Sequence, residues 1–170
     1  MLNRLLRQFS RKWAGAKEVT PTEVRDLIDC GQLDAAWTAL PRLAAATPQR
    51  AVTETCLRGE IEFRRHHDAE AEALFREALK EVPGLPDAHY GLSLLMLARG
   101  EQEVALRHAT FATNNSADAR MSAQLGLCNL EVLDFVRAAK ALARATRLDP
   151  NDKSSWNNLG IARRSLGDGD

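Results

Sequence analysis

The stretch VTETCLRGEIEFRRHHDAEAEALFREALKEVP, residues 52–83, decides how this chain folds. Its second half carries the pattern Ala71-x-x-x-Phe75-x-x-Ala78 and ends at Pro83. Small residues let two helices approach closely, large residues fill the space between them, and proline ends a helix. The stretch therefore predicts two antiparallel helices joined by a turn and followed by a stop.

The same spacing of small, large and helix-ending residues recurs on both sides of the stretch. Moving it forward by 34 residues, and then by a further 33, finds alanine again at both small positions, and moving it back by 35 finds the first unit. The recurring residues are Ala105 and Ala112, then Ala138 and Ala145, and upstream Ala36, Leu40 and Pro48. One helix pair alone leaves an apolar face in water, so a repeated pair is expected to stack on its neighbours.

Helical periodicity, caps and breakers place the individual helices. Thr20, Pro21 and Glu23 form a start signal, because Thr20 can accept from the backbone and Glu23 can reach back to the cap. Pro41 falls inside the second helix and is expected to kink it. The predicted helices cover residues 21–30 and 33–46, 52–65 and 68–81, 86–99 and 101–113, 119–132 and 135–148, and 153–166.

Three motifs have the pattern of a known repeat family. They are Trp156-x-x-Leu159-Gly160, Asp149-Pro150-Asn151, and Ala71-x-x-x-Phe75-x-x-Ala78 with Pro83. The chain resembles the tetratricopeptide repeat (TPR) family in these motifs. The resemblance implies an all-α fold, a right-handed α-solenoid of about four antiparallel helix pairs plus an unpaired C-terminal helix. The implied repeats cover residues 18–51, 52–85, 86–118 and 119–152, with a half repeat at 153–170.

The chain also departs from the family pattern. The bulky aromatic residue expected three positions after the glycine is Glu62, Asn129 and Arg163 in three of the helices. Smaller or polar side chains fill less of the space between helices, so looser packing is expected at these positions.

Composition and charge exclude several classes of protein. Every apolar run is shorter than the roughly 20 residues that cross a bilayer, and the three cysteines are far apart and set among apolar residues, which predicts buried, reduced thiols in the cytoplasm. Residues 18–170 hold 18 cations against 23 acids and form no dense basic face, so nucleic-acid binding is not expected.

Residues 1–17 differ from the rest, since they hold five cations and no acid. Their apolar residues are Leu2, Leu5, Leu6, Phe9 and Trp13. The spacing predicts a basic amphipathic helix. Three roles stay open: a cap on the first repeat, peripheral contact with a membrane surface, or a cleaved targeting segment.

The resemblance also implies a binding surface, because the first helices of TPR pairs line a concave groove that receives an extended or helical peptide. The candidate groove residues are Phe63, Arg64, Tyr90, Leu94, Leu97, Arg120, Leu127 and Leu130. Their apolar centre favours an apolar or amphipathic segment. The chain's own terminus or a second copy of the chain is the alternative occupant.

One TPR subgroup clamps the acidic carboxyl terminus of chaperones through basic and asparagine residues. Arg120 matches one such residue, but Cys56, Glu60, Gly91 and Gln124 occupy the other places. Chaperone clamping is therefore disfavoured.

No catalytic, metal or cofactor site is predicted. His66-His67-Asp68 is the one metal-like cluster, and the other histidines, His89 and His108, lie a repeat away, whereas structural zinc needs about four converging ligands. The prediction is a non-catalytic scaffold that binds a protein or peptide. The alternative is the substrate-selecting front of a larger enzyme, such as a glycosyl- or sulfo-transferase, if the reading frame continues past Asp170.

Overall fold

The structure, a computed structural model, describes residues 18–43 and 48–167. Within these ranges the regular structure is helical, apart from an isolated bridge between Val19 and Leu43, so the predicted all-α fold class is confirmed. The helices are α1 Pro21–Asp29, α2 Leu33–Ala39, α3 Pro48–Arg64, α4 Asp68–Glu81, α5 Pro86–Ala98, α6 Gln102–Asn114, α7 Ala119–Glu131, α8 Phe135–Leu148 and α9 Lys153–Ser165, with a 3₁₀ turn at Leu40–Arg42. The chain forms two compact units, a first that ends at Ala71 and a second that begins at Glu72. The predicted helix at residues 1–17 lies outside the described residues.

The turn after the first helix of each pair has a backbone that repeats along the chain. One residue in it adopts a positive φ: Gly31 (73°), His66 (63°), Gly100 (76°), Leu133 (59°) and Gly167 (86°). After each of the first four, the next residue donates its N–H to the carbonyl five residues earlier, as in a Schellman motif. The turns lie 35, 34, 33 and 34 residues apart, which is the period predicted from the sequence.

The core of the first unit lies where α1, α2 and α3 meet. Thr20 begins α1 with the predicted capping box: its Oγ1 accepts from the Glu23 N–H at 3.2 Å, and Glu23 Oε2 accepts from the Thr20 N–H at 2.7 Å. Val24 and Ile28, one turn apart on α1, are buried. The buried cluster that they join contains Ala36, Ala39, Leu40, Leu43, Leu57 and Ile61.

The prediction for the second helix was wrong at its end. The sequence predicts a kinked helix over residues 33–46, but α2 ends at Ala39 and passes into the 3₁₀ turn. Pro41 has no N–H to donate and its ring crowds the carbonyl four residues earlier, so the helix stops instead of bending. The chain then returns to α1, where the Val19 N–H donates to the Arg42 carbonyl at 2.9 Å.

Helix pairs in the second unit approach each other through glycine. A Cβ on Gly126 of α7 would lie 2.4 Å from Cγ of Leu142 on α8, and a Cβ on Gly91 of α5 would lie 2.2 Å from Cε1 of Phe75 on α4. Phe75 and Leu142 are fully buried, as predicted from their repeat positions. The absence of a side chain at these two glycines therefore sets the distance between the helices.

The cysteines follow the prediction only in part. Cys56 and Cys128 are buried thiols, but Cys30 is exposed. Cys30 follows α1 by one residue and lies two positions after Ile28, which places it away from the buried side of that helix.

A pair of identical substitutions tests the close approach. Gly126→Ala is expected to lower the free energy of unfolding by about 1–3 kcal/mol, because the new methyl group overlaps Leu142. Gly160 is the matched control at the same repeat position, since its nearest neighbouring atom is Arg164 Nη1 at 3.4 Å. Gly160→Ala is expected to raise the free energy of unfolding by up to about 1 kcal/mol, because alanine favours helix. Urea unfolding measures both, and equal changes would contradict this account.

The turn at Leu133 gives a second test. Leu133 holds a positive φ that glycine tolerates best, and its side chain is 70% exposed. Leu133→Gly is expected to raise the free energy of unfolding by about 1 kcal/mol, because it relieves the left-handed backbone. Leu133→Ala keeps the Cβ and should show no such gain in the same urea titration. An equal gain in both variants would assign the effect to lost apolar surface.

Candidate functional site

The candidate site lies on α5 and α7, the first helices of two consecutive pairs, which contact each other in the second unit. We define the first-helix face as Tyr90, Leu94 and Leu97 of α5 with Arg120, Leu127 and Leu130 of α7. All six side chains are half-buried. Leu94 and Leu127 occupy one repeat position, and Leu97 and Leu130 another. A pair of partly exposed leucines therefore occurs at the same two positions on α5 and on α7.

Arg120 connects the two helices at one end of this face. Its Cζ lies 5.1 Å from the centroid of the Tyr90 ring. Its Nη2 lies 2.9 Å from Asp118 Oδ2 and 3.4 Å from Asp87 Oδ1. Two carboxylates thus face one guanidinium, which leaves little free positive charge for an acidic ligand.

The remaining predicted site residues have different surroundings. Leu130 also packs against the buried cluster of Ala138, Leu142, Leu159 and Ala162. In the first unit, Phe63 is half-buried, and Arg64 is exposed with its Nη2 3.3 Å from Asp29 Oδ1. The predicted cap or membrane residues Leu2, Leu5, Leu6, Phe9 and Trp13 lie outside the described residues.

Sequence reasoning missed one apolar residue, on α9, that has the same repeat position as a leucine of the first-helix face. Ile161 of α9 lies 34 residues after Leu127, at the same repeat position, and is 37% exposed. Helix α9 contacts α7. The period alone was enough to find it.

The histidines form a contact that the sequence did not predict. His89 Nδ1 and His108 Nδ1 lie 2.8 Å apart, and the His89 ring centroid is 4.0 Å from that of Phe111. The pairing of α5 with α6 brings together residues that are 19 apart in the sequence. In the other cluster, His67 Nδ1 lies 2.6 Å from Glu62 Oε2 and both His66 and His67 are exposed.

Burial shifts the pKa of two side chains in the second unit, His108 and Cys128. Burial, helped by His89, Arg107 and Arg76, lowers the pKa of His108. Burial raises the pKa of the Cys128 thiol to about 12, so this thiol stays protonated at neutral pH and is a poor nucleophile. Within residues 18–43 and 48–167, no three His, Cys, Asp or Glu side chains are grouped to hold a metal ion, and no helix has the length and apolar character to span a bilayer.

Solved structures with the same arrangement of helix pairs come from several organisms and systems. The TPR domain of Sgt2 from Aspergillus fumigatus has a TM-score of 0.64 at 21% identity, over 73% of this chain and 83% of that chain. The chain has the tetratricopeptide-repeat fold. The first TPR of Spaghetti (RPAP3), bound to an HSP90 peptide, has a TM-score of 0.63 at 17% identity, over 68% of this chain and 93% of that chain.

A third TPR-fold neighbour is MamA of Desulfovibrio magneticus RS-1, with a TM-score of 0.61 at 20% identity over 87% of this chain and 84% of that chain. No family model matches the sequence, and a search of curated proteins gave no match. The TPR resemblance seen in the sequence motifs is thus confirmed by the fold, and so is the all-α solenoid class.

The lowered pKa of His108 predicts how stability depends on pH. An unfolded histidine has a pKa of 6.5, so below that value the unfolded chain takes up a proton that folded His108 still resists. The free energy of unfolding is therefore expected to hold above pH 6.5 and to fall as the pH drops from there towards the lower folded pKa. Urea unfolding between about pH 8 and pH 5.5 measures the slope.

The matched variants for this slope are His108→Gln and His66→Asn. His108→Gln is expected to flatten the fall, whereas His66→Asn, at an exposed turn, is expected to leave it unchanged. A slope that persists in His108→Gln would contradict the assignment.

Proposed function

We propose that this chain is a non-catalytic interaction module that binds an apolar or amphipathic peptide or helix segment on its first-helix face. The observation that carries the proposal is the set of half-buried leucines on α5 and α7, Leu94, Leu97, Leu127 and Leu130, together with half-buried Tyr90 one turn before Leu94. When a partner covers a partly exposed leucine, the burial of its apolar surface favours binding by about 25 cal/mol per Å².

The repetition of the leucine positions suits an elongated ligand. A peptide that runs across α5 and α7 meets a similar apolar pair on each helix, so successive apolar side chains of the peptide find similar contacts. Tyr90 adds a rigid aromatic ring of the kind that dominates binding energy at interfaces. Arg120 holds that ring and fixes one end of the surface.

Charge decides the class of ligand that we propose for this face. Asp87 and Asp118 already surround Arg120, so an acidic tail would face two carboxylates at this end. The Spaghetti (RPAP3) neighbour, whose structure holds an HSP90 peptide with the sequence SRMEEVD, supports peptide binding by this fold. The residues of this chain favour an apolar segment instead of that acidic one.

A double substitution tests the proposal. Leu94→Glu with Leu127→Glu is expected to weaken binding of peptides selected by display on the intact chain by at least about tenfold, because burying a charge opposes docking. Fluorescence anisotropy with labelled peptides measures the dissociation constant. Tyr90→Ala is a second variant, which needs no buried charge and is expected to weaken the same peptides.

The matched control places the same charges elsewhere in the second unit. Leu133 and Val136 are 70% and 67% exposed and lie outside the first-helix face. Leu133→Glu with Val136→Glu is expected to leave the dissociation constant unchanged. Equal weakening in both double variants, or none in either, would contradict the proposed site.

Two measurements distinguish an external segment from the other possible occupants of the first-helix face: sedimentation velocity of the intact chain, and peptide binding after deletion of residues 1–17. A monomer in solution agrees with the proposal. A dimer that Leu94→Glu with Leu127→Glu converts to a monomer would instead assign the face to a second copy. Binding that appears only after deletion of residues 1–17 would assign it to the chain's own terminus.

A further inference from the structure

The second unit contains a cavity that the sequence did not predict. It has a volume of about 490 Å³ and is lined by α6, α7 and α8. None of its lining residues belongs to the first-helix face. Ligand sites in proteins typically measure about 300–1,000 Å³, so the space is sufficient for a short peptide segment.

One wall of the cavity is positively charged. Arg137, Lys140 and Arg144 all line it, and their spacing of three and four places them on one side of α8. Arg137 Nη1 lies 3.4 Å from Asp134 Oδ2. Among the described residues Lys140 has no ion pair, and no acidic residue lines the cavity.

Arg144 is held in place by neutral partners. Its Nη1 donates to the Thr113 carbonyl at 3.4 Å and its Nη2 to the Ser116 carbonyl at 3.1 Å. These bonds orient the guanidinium without cancelling its charge. The whole of α8, Phe135–Leu148, carries four cations and no acid, although residues 18–170 have an excess of acids. The positive wall is therefore local.

Asn129, one of the residues that line the cavity, carries a hydrogen-bond acceptor that has no partner among the described residues. Asn129 is 2% exposed, and its Nδ2 donates to the Leu125 carbonyl at 2.8 Å. Its Oδ1 is buried and has no hydrogen-bond partner among the described residues. Buried polar atoms without a partner are rare in folded proteins. Asn129 stands where the repeat pattern expects a bulky aromatic residue. Its smaller side chain leaves space unfilled, so this one residue accounts for both the cavity and the buried polar atom.

We propose that this cavity binds an acidic peptide segment, separately from the first-helix face. Carboxylates of the peptide would pair with Lys140 and Arg137, and a rotation of the Asn129 side chain that uncovers Oδ1 would let a backbone N–H of the peptide donate to it. The apolar lining residues Leu106 and Leu125 would contact a neighbouring apolar side chain. Residues 1–17 carry five cations and no acid, so this terminus has the wrong charge for the site. The occupant that we propose is an acidic segment of a partner protein.

Nuclear magnetic resonance of the intact, ¹⁵N-labelled chain tests the proposal. The probe is a synthetic peptide of alternating glutamate and leucine. Saturable shifts are expected at the amides of the cavity, including Thr110, Asn129 and Lys140. A peptide with glutamine in place of glutamate is expected to bind at least about tenfold more weakly, since it cannot form the ion pairs. Equal binding of the two peptides would overturn the proposal, as would inorganic phosphate that reproduces the same shifts and competes with the peptide.

Two charge reversals on α8 separate the site from general electrostatic attraction. Lys140→Glu changes the charge of an exposed residue that lines the cavity, while Arg147→Glu makes the same change at another exposed residue of the same helix that does not line it. Lys140→Glu is expected to weaken the peptide at least about tenfold and Arg147→Glu no more than about twofold. Equal weakening would overturn the proposal.

Asn129→Leu tests the unsatisfied acceptor with a second readout. The variant is expected to weaken the peptide severalfold while the melting temperature stays the same or rises, because it removes a buried oxygen without a partner. Wild-type affinity in this variant would overturn the role of Asn129. Leu94→Glu with Leu127→Glu is expected to leave binding in the cavity unchanged, so the two proposed surfaces can fail independently.

Discussion

The close approach of helices at glycine is the constraint on which the second unit depends. At Gly126 and Gly91 a single methyl group would lie within about 2.4 Å of a buried side chain, so these helices pack at a distance that only glycine allows. The large side chains opposite them, Leu142 and Phe75, then fill the space between neighbouring helices. This packing decides which side chains remain at the surface of the second unit. It therefore determines both the first-helix face and the cavity.

The turns impose the repeat on the backbone. A positive φ recurs after each first helix and after the unpaired α9, although leucine or histidine replaces glycine in two of the five positions. The backbone conformation is thus kept where the sequence changes, and Leu133 and His66 adopt it at a cost in free energy. This accounts for a regular structure in a chain whose repeat motifs are incomplete.

The two proposed surfaces differ in the chemistry that they offer. The first-helix face has leucines and a guanidinium enclosed by carboxylates, which suits an apolar segment. The cavity between α6, α7 and α8 has three cations and an unpaired acceptor, which suits an acidic one. A module with two such surfaces could hold two different segments at once, since no residue belongs to both.

The sequence predicted what depends on local pattern and period, and missed what depends on contacts between distant residues. The spacing of small and large residues placed α4 and α8 at their observed ends, and the capping residues placed the start of α1. Pro41 was recognised as a disturbance, but the sequence did not show that α2 ends before it and passes into a 3₁₀ turn. The contact of His89 with His108 required the register of two helices. To predict the cavity, the register of three helices would have been needed, although the sequence already marked Asn129 as a position of looser packing.

The most direct test of the close approach is a nuclear Overhauser measurement on the ¹³C-labelled chain. The account predicts strong cross-peaks from the Gly126 α-protons to the Leu142 methyl groups, and from the Gly91 α-protons to the Phe75 ring, because a side chain at either glycine would overlap these groups. Absence of both cross-peaks in a folded, fully assigned protein would contradict it.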